Sequence, residues 1–199
     1  MRTVFVTMLG AALVLLAPGE SGAVTLEFEP SAPAVTVGST VKVAVVISGL
    51  GSGAAPSLST FDLDVTFDDG ILSFLSFMFG DPSSGDQLDL ASLGSITDVT
   101  AGGGAVNVFE LSFDSAADLD ALQAASFTLG TLRFTALSTG ASALEIGINA
   151  LGDANGDPLT VDAGAGRIAV SGVVPVPGPA PLLLLLAGVV GLAGFRRYL

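Results

Sequence analysis

Residues 61 to 68 read FDLDVTFD, placing Phe61, Leu63, Val65 and Phe67 in strict alternation with Asp62, Asp64, Thr66 and Asp68. Successive side chains of an extended strand point to opposite faces, so this spacing collects four apolar groups on one side and four polar groups on the other. Wound into a helix, the same residues would scatter around the axis and bury nothing. A strand with one apolar face needs a second layer to cover it. The remainder of the chain from Val24 offers segments of the same kind. Val24 to Glu29 alternates and is ended by Pro30 to Pro33. Val35 to Val37 and, after Gly38-Ser39, Val41 to Ile47 form a β-branched run, and Gly49 to Pro56 is a loop. Asp69-Gly70 marks a turn, after which Ile71 to Phe79 is expected to return as the partner strand. Ile96 to Thr100, Val106 to Phe113, Phe127 to Leu137, Ala143 to Ile148, Leu159 to Asp162 and Arg167 to Val170 complete the strands, with Asp118 expected to cap a single helical turn through Gln123. No segment supports a helix long enough to form a layer. The expected architecture is an all-β antiparallel jelly-roll sandwich over residues 24–172.

Two segments flank that domain. Met1 to Ala23 carries Arg2, an apolar stretch from Val4 to Leu16, a break at Pro18-Gly19 and the small residues Ser21-Gly22-Ala23. This is the pattern of a secretory signal peptide cut after Ala23, and it predicts export. At the other end, prolines at 175, 177, 179 and 181 form a collar over 173–181, and a charge-free apolar run leads to Arg196 and Arg197. From Pro181 to Phe195 a helix rises roughly 22 Å at ~1.5 Å per residue, short of the ~30 Å hydrocarbon core. The absence of charge before the paired arginines nevertheless predicts a C-terminal transmembrane segment over 182–199, oriented by its cationic stop.

The tail resembles the PEP-CTERM sorting signal, in which a Val-Pro-Glu-Pro-like motif, a short apolar helix and terminal arginines are recognised by an exosortase. The matching residues are Val174, Pro175, Val176 and Pro177, with Val176 in place of the commonest glutamate, and Arg196 and Arg197. The resemblance implies an exported chain held at the cell envelope or released outside after processing by an exosortase-type enzyme. A plain single-pass anchor is the other reading of the same residues.

Charge narrows the function. The chain has 6 basic and 19 acidic residues, and setting aside Arg2, Glu20, Arg196 and Arg197 leaves 3 and 18 in the central domain, a net charge of −15. Such a surface repels phosphate backbones, which excludes nucleic acid as a partner. The chain has no Cys and no His, so Ser-His-Asp and Cys-His nucleophiles and the usual zinc sites cannot be built. Only paired carboxylates remain for acid-base chemistry. Asp62, Asp64 and Asp68, at steps of about 6 to 7 Å along one strand face, are read as plain hydration of the outer surface. No catalytic residues are assigned, and the chain is read as a non-enzyme.

The succession GSTVKVAVVISGL, LSTFDLDVTFDDGILSF, FTLGTLRFTALSTGASALEI, LGDANGDPLTV and GRIAV is similar to the cohesin domain, a jelly roll related to bacterial carbohydrate-binding modules. The resemblance implies an interaction domain whose ligand is a protein or a polysaccharide. The leading reading is a non-enzymatic surface or extracellular-matrix protein, with a carbohydrate-binding accessory protein as the alternative. The domain contains no Trp and no Tyr, and its phenylalanines alternate with polar residues and are expected to face the core, which disfavours a stacked sugar platform. Gly80 to Gly94, acidic and rich in turn residues, is the longest irregular connection and the expected seat of binding. Asp153, Asn155 and Asp157 have the spacing that opens a calcium-binding EF-hand loop, but position six is Pro158 and position twelve is Gly164. Asn155-Gly156 is also a strong hairpin signal, and the hairpin is the favoured reading, with calcium as the alternative.

Overall fold

The computed structural model describes residues 23–172; the predicted signal peptide, Ala23 excepted, and the predicted collar and tail helix over 173–199 lie outside the described residues. Among the described residues no helix is long and apolar enough to cross a membrane. The elements in chain order are β1 Val24–Pro30, β2 Ala34–Thr36, β3 Thr40–Ser48, β4 Leu58–Thr66, β5 Leu72–Phe79, β6 Ser95–Gly102, β7 Ala105–Ser112, α1 Ala116–Leu122, β8 Ser126–Ala136, β9 Gly140–Asp153, β10 Val161–Ala163 and β11 Gly166–Ser171. They form the expected sandwich of two sheets, one ordered β10-β1-β3-β8-β5 and the other β2-β11-β9-β4-β7-β6. Pairing is antiparallel except where the short β10 and β2 lie parallel to β1 and β11. Pro30 ends β1 beyond the three residues that pair with β10, so its missing N–H removes nothing from that ladder.

The core is the sum of the alternating inner faces. Val41, Val43, Val45 and Ile47 of β3 and Leu132 and Phe134 of β8 meet Phe61, Leu63 and Val65 of β4 and Val106 and Val108 of β7, all buried. Phe67, past the end of β4, is half-buried and meets Phe134 edge-on at 5.0 Å. Gly130 of β8 is required by packing, because a Cβ there would overlap the Phe77 ring and come within 2.6 Å of the Met78 carbonyl.

One expected pairing is corrected. Ile71 to Phe79 does not return beside β4; β4 lies between β9 and β7 in the six-stranded sheet, and β5 is the edge of the other sheet, beside β8. The Asp68 carbonyl accepts from the N–H groups of Ile71 and Leu72 at 3.1 and 2.8 Å, and from this turn the chain crosses the core. The reason lies in β5 itself. Leu72, Phe74, Phe77 and Phe79 are spaced unevenly, and a bulge between Phe74 and Ser76 restores them to one inner face while leaving Leu75 and Met78 outside. That much apolar surface needs the opposite sheet as cover, and Phe79 meets Phe61 across the core at 6.3 Å between ring centres. A second correction concerns α1, whose cap is Ser115 rather than Asp118. The Ser115 hydroxyl accepts the Asp118 N–H at 3.2 Å and donates to the Asp118 carboxylate at 2.6 Å, with the aspartate at the third helical position.

These contacts order the expected effects of truncation. Phe61→Ala should cost about 3–5 kcal/mol, the range for a fully buried aromatic, and Phe67→Ala less. Leu75→Ala, on the outer side of the bulge, should stay within ~0.5 kcal/mol. Urea unfolding of residues 24–172 measures all three, and a large loss at Leu75 would mean that β5 is turned the other way.

Candidate functional site

β7 breaks the alternation it begins with. Val106 and Val108 point into the core and set the register, so the next residue on the inner side is Glu110, fully enclosed, while Phe109 and Leu111 face outward, half-buried. Phe113, just beyond the strand, is 52% exposed, contrary to the expectation that the phenylalanines all face the core, and Ile96 of β6, paired with Leu111, is 50% exposed. The strand thus carries apolar groups on the solvent side and an acid on the core side. Both anomalies follow from one register, because a strand cannot turn single residues over without a bulge.

Beside that apolar row stands a polar one. Asp62 and Asp64 of β4 are half-buried and joined by two carboxamides from the neighbouring strands. Asn107 Nδ2 of β7 donates to Asp62 Oδ1 at 2.6 Å and to Asp64 Oδ1 at 2.9 Å. Asn149 Nδ2 of β9 donates to Asp62 Oδ1 at 3.1 Å and to Asp64 Oδ2 at 3.0 Å. Register explains the meeting: Asp64 lies opposite Asn107, and an irregularity in the β4–β9 pairing between Asp62 and Leu63 places Asn149 beside both carboxylates. The bonds from Asn107 and then Asn149 hold the Asp64 carboxyl below its ordinary value, so it stays ionised and oriented at neutral pH. Plain hydration, the role expected for these aspartates, is therefore corrected for Asp62 and Asp64; Asp68 is exposed and its carboxylate accepts the Gly70 N–H of its own turn, at 2.9 Å. The two asparagines were missed in sequence because neither belongs to a local motif.

The long loop covers the inner side of the same sheet end. Its first half is wound on Asp81, whose Oδ1 accepts from the N–H and hydroxyl groups of Ser83 and Ser84 at 2.7 to 3.0 Å, which depresses its carboxyl far below the usual range. Its second half is pinned to the segment after α1. Gln123, almost fully buried, donates to the carbonyls of Leu58 and Gln87 at 2.9 Å and accepts the Leu58 N–H at 2.6 Å, while Gln87 accepts the Ala124 N–H at 3.0 Å. Leu88 is buried beneath the loop, whereas Leu93 is 60% exposed.

Under this cover Glu110 Oε1 accepts the Ser95 hydroxyl at 2.7 Å. Burial first, then the facing carboxylates of Asp86 and Asp89, push the Glu110 carboxyl up to about 8. Asp64 and Glu110 are shifted in opposite directions, yet they lie on opposite sides of one sheet. They share no cavity, so they do not make the acid-base pair that glycoside hydrolysis needs.

The Asp153 to Asp157 segment is a tight turn. Asp153 N–H donates to the Asp157 carbonyl at 2.8 Å, Gly156 has φ +86, and Asp153 Oδ1 accepts the N–H groups of Asn155 and Asp157 at 2.8 and 2.9 Å. The carboxylate proposed as a first calcium ligand is thus engaged in shaping the loop, and Asn155 and Asp157 are exposed around it. Beyond the turn the chain leaves β9, and β10 joins β1 in the other sheet. Among the described residues no group of three acidic side chains already has metal-binding spacing. The sorting residues Val174, Pro175, Val176, Pro177, Arg196 and Arg197 lie outside the described residues.

No protein-family model matches the chain, and no curated protein matches it in sequence. Solved structures match its fold. A type I cohesin of Clostridium thermocellum, solved in complex with a dockerin, is 12% identical and aligns over 75% of this chain and 100% of its own, with a TM-score of 0.59. A non-cellulosomal cohesin from the archaeon Archaeoglobus fulgidus is 17% identical over 75% of this chain and 92% of its own, with a TM-score of 0.56. A type II cohesin of Acetivibrio cellulolyticus is 16% identical over 74% and 95%, with a TM-score of 0.58. The described domain therefore has a cohesin-like fold.

With divalent cations removed by chelator, stability should fall as pH rises from about 5 toward 9. The raised carboxyl of Glu110 makes the folded chain hold a proton that the unfolded chain releases near its ordinary 4.5, and stability decreases with pH wherever the folded state binds more protons. Glu110→Gln keeps an acceptor for Ser95 and should flatten this slope in thermal unfolding. An unchanged slope in the variant would place the titrating group elsewhere.

Proposed function

We propose that this chain is an exported, non-catalytic surface or matrix protein whose sandwich binds a protein partner through the outer face of β4, β6, β7 and β9. The observation that carries this reading is the row of Phe109, Leu111 and Ile96 beside the ordered Asp62, Asn107, Asp64 and Asn149. An apolar strip alone would be a liability on a free sheet, and a charged patch alone would bind diffusely. Together they make a two-part docking surface, with an apolar strip on β7 and the edge strand β6 and an ordered polar row on the central β4 and β9. The carboxylates are already fixed by the asparagines, so little side-chain freedom remains to be lost on binding. They select a partner that presents hydrogen-bond donors or positive charge. The cohesin-like fold supports a protein ligand, since several of the matching cohesins were solved with a dockerin. The partner need not be a dockerin.

The ends of the chain supply the display. The signal sequence directs the domain out of the cytoplasm, and the apolar run from Leu182 with Arg196 and Arg197 holds it at the envelope, as an exosortase-type substrate through Val174 to Pro177. Deleting residues 182–199 should move the protein from the membrane fraction to the soluble fraction with the sandwich folded. Retention in the membrane after deletion would remove the tail as the anchor.

The face itself is tested by a photo-crosslinking residue placed at Ile96 on intact cells, with the same residue at Leu75 on the opposite sheet as the control. A defined protein adduct from position 96, lost in the Asp62→Asn, Asp64→Asn double variant and absent from position 75, is the expected result. Equal labelling from both positions would refute a dedicated face, and specific retention on a glycan array would instead favour the carbohydrate-binding alternative.

A further inference from the structure

Beneath the long loop, two buried carboxylates each hold an oxygen without a partner. Glu110 is fully enclosed, and while its Oε1 takes the Ser95 hydroxyl, its Oε2 takes no hydrogen bond. Asp114, with 9% of its surface exposed, gives Oδ2 to the Ala91 N–H at 3.0 Å and leaves Oδ1 unmatched. Asp86 and Asp89 face Glu110 from the loop above. Each of those aspartates spends one oxygen on the loop, Asp86 Oδ1 on the Leu88 N–H at 2.9 Å and Asp89 Oδ1 on the Gly94 N–H at 2.8 Å. Their second oxygens are not spent on these loop bonds. Among the described residues no basic group answers this charge: Lys42 and Arg133 are paired neighbours on β3 and β8, Arg167 is on β11, and the chain has no histidine.

Enclosing several acids without a counter-charge is strongly unfavourable. A simpler sequence would place an apolar residue at 110, in line with Val106 and Val108. We infer that the space between Glu110 and the loop is a binding site for a divalent cation, with Glu110 as its inner ligand and Asp86 and Asp89 closing on the ion from the loop. Asp114 positions the loop through Ala91. The donors are all oxygen, and hard cations require oxygen. Calcium fits better than magnesium, because it accepts several carboxylates in irregular geometry, whereas magnesium keeps most of its water. Among the described residues no three acids already form a metal shell, so Asp86 and Asp89 must swing their second oxygens inward. The single backbone tie on each leaves that rotation open, and the Gln87 and Gln123 contacts hold the loop in place meanwhile. This site is separate from the Asp153 turn, whose carboxylate is occupied by backbone N–H groups.

The test is calorimetric titration of the full-length chain, held in a non-ionic detergent and stripped with chelator, with calcium chloride at neutral pH and constant ionic strength. One calcium per chain is expected, with a dissociation constant of roughly 10⁻⁴–10⁻³ M as in extracellular calcium modules. The midpoint of thermal unfolding, read by circular dichroism, should rise saturably with calcium, and magnesium or sodium at the same ionic strength should not reproduce the rise. Glu110→Gln should weaken binding at least ~10-fold, the lower end of what loss of an outer-shell partner produces, whereas Asp153→Ala should bind as the parent does. Should Glu110→Gln not fold, Asp86→Asn and Asp89→Asn serve in its place, each expected to stay folded and to bind more weakly. Absence of saturable calcium binding to the parent, undiminished binding in these variants, or loss of binding in Asp153→Ala would each overturn the site.

Discussion

The structure depends on the register of β4 against β7. β4 fills the centre of the six-stranded sheet, and its inner residues Phe61, Leu63 and Val65 are wholly buried. β7 pairs with it so that Val106 and Val108 face the same core. That choice, made by two valines, fixes every later side chain of β7. It sends Glu110 inward and Phe109 and Leu111 outward, and it brings Asn107 onto the aspartates of β4. A one-residue slip would bury the asparagine and release the acid. The buried acid and the exposed apolar strip are therefore two consequences of a single packing decision, one on each side of the sheet.

The loop from Gly80 to Gly94 responds to that decision. Glu110 needs to be roofed and surrounded by polar groups, and the loop provides both. Ser57, Glu110, Asp114 and Gln123, four of the buried polar residues, gather at this end of the sandwich. Ser57 donates to Asp120 of α1 at 2.6 Å, Gln123 ties the helix end to β4 and to the loop, and Asp114 ties the end of β7 to the loop. The other end of the sandwich is closed differently, by the aromatic contacts of Phe67 and Phe74 with Phe134. One end is thus closed by edge-on aromatic rings and the other by buried polar groups.

The sequence made some of this readable and hid the rest for physical reasons. Period-two alternation in β3 and β4 identified strands and inner faces because it is a local property. The sandwich followed from the lack of any helical period. The placement of β5 was not readable in the same way, since Asp69-Gly70 looks the same whether the chain folds back in plane or crosses the core. Only the uneven spacing of Phe74 and Phe77, with its implied bulge, carried a hint. Ser115 went unnoticed as a cap because Asp118 offers the same chemistry three residues later. Glu110 was hidden more deeply. In VNVFELSF the apolar residues change sides halfway, so the strand has no consistent inner face until its partner sets one. The Asp62 and Asp64 network required knowledge of two cross-strand neighbours 45 and 87 residues away from Asp62, which no local pattern supplies.

The opposed environments on the two sides of this one sheet are open to direct observation. A carboxyl-carbon NMR titration of the chelator-treated protein, with resonances assigned by Asp64→Asn and Glu110→Gln, reads both acids in one experiment. Asp64 should titrate below its ordinary 3.8 and Glu110 near 8. If both titrated near 4 as solvated carboxylates do, Glu110 would be facing water, and the register of β7 described here would be wrong.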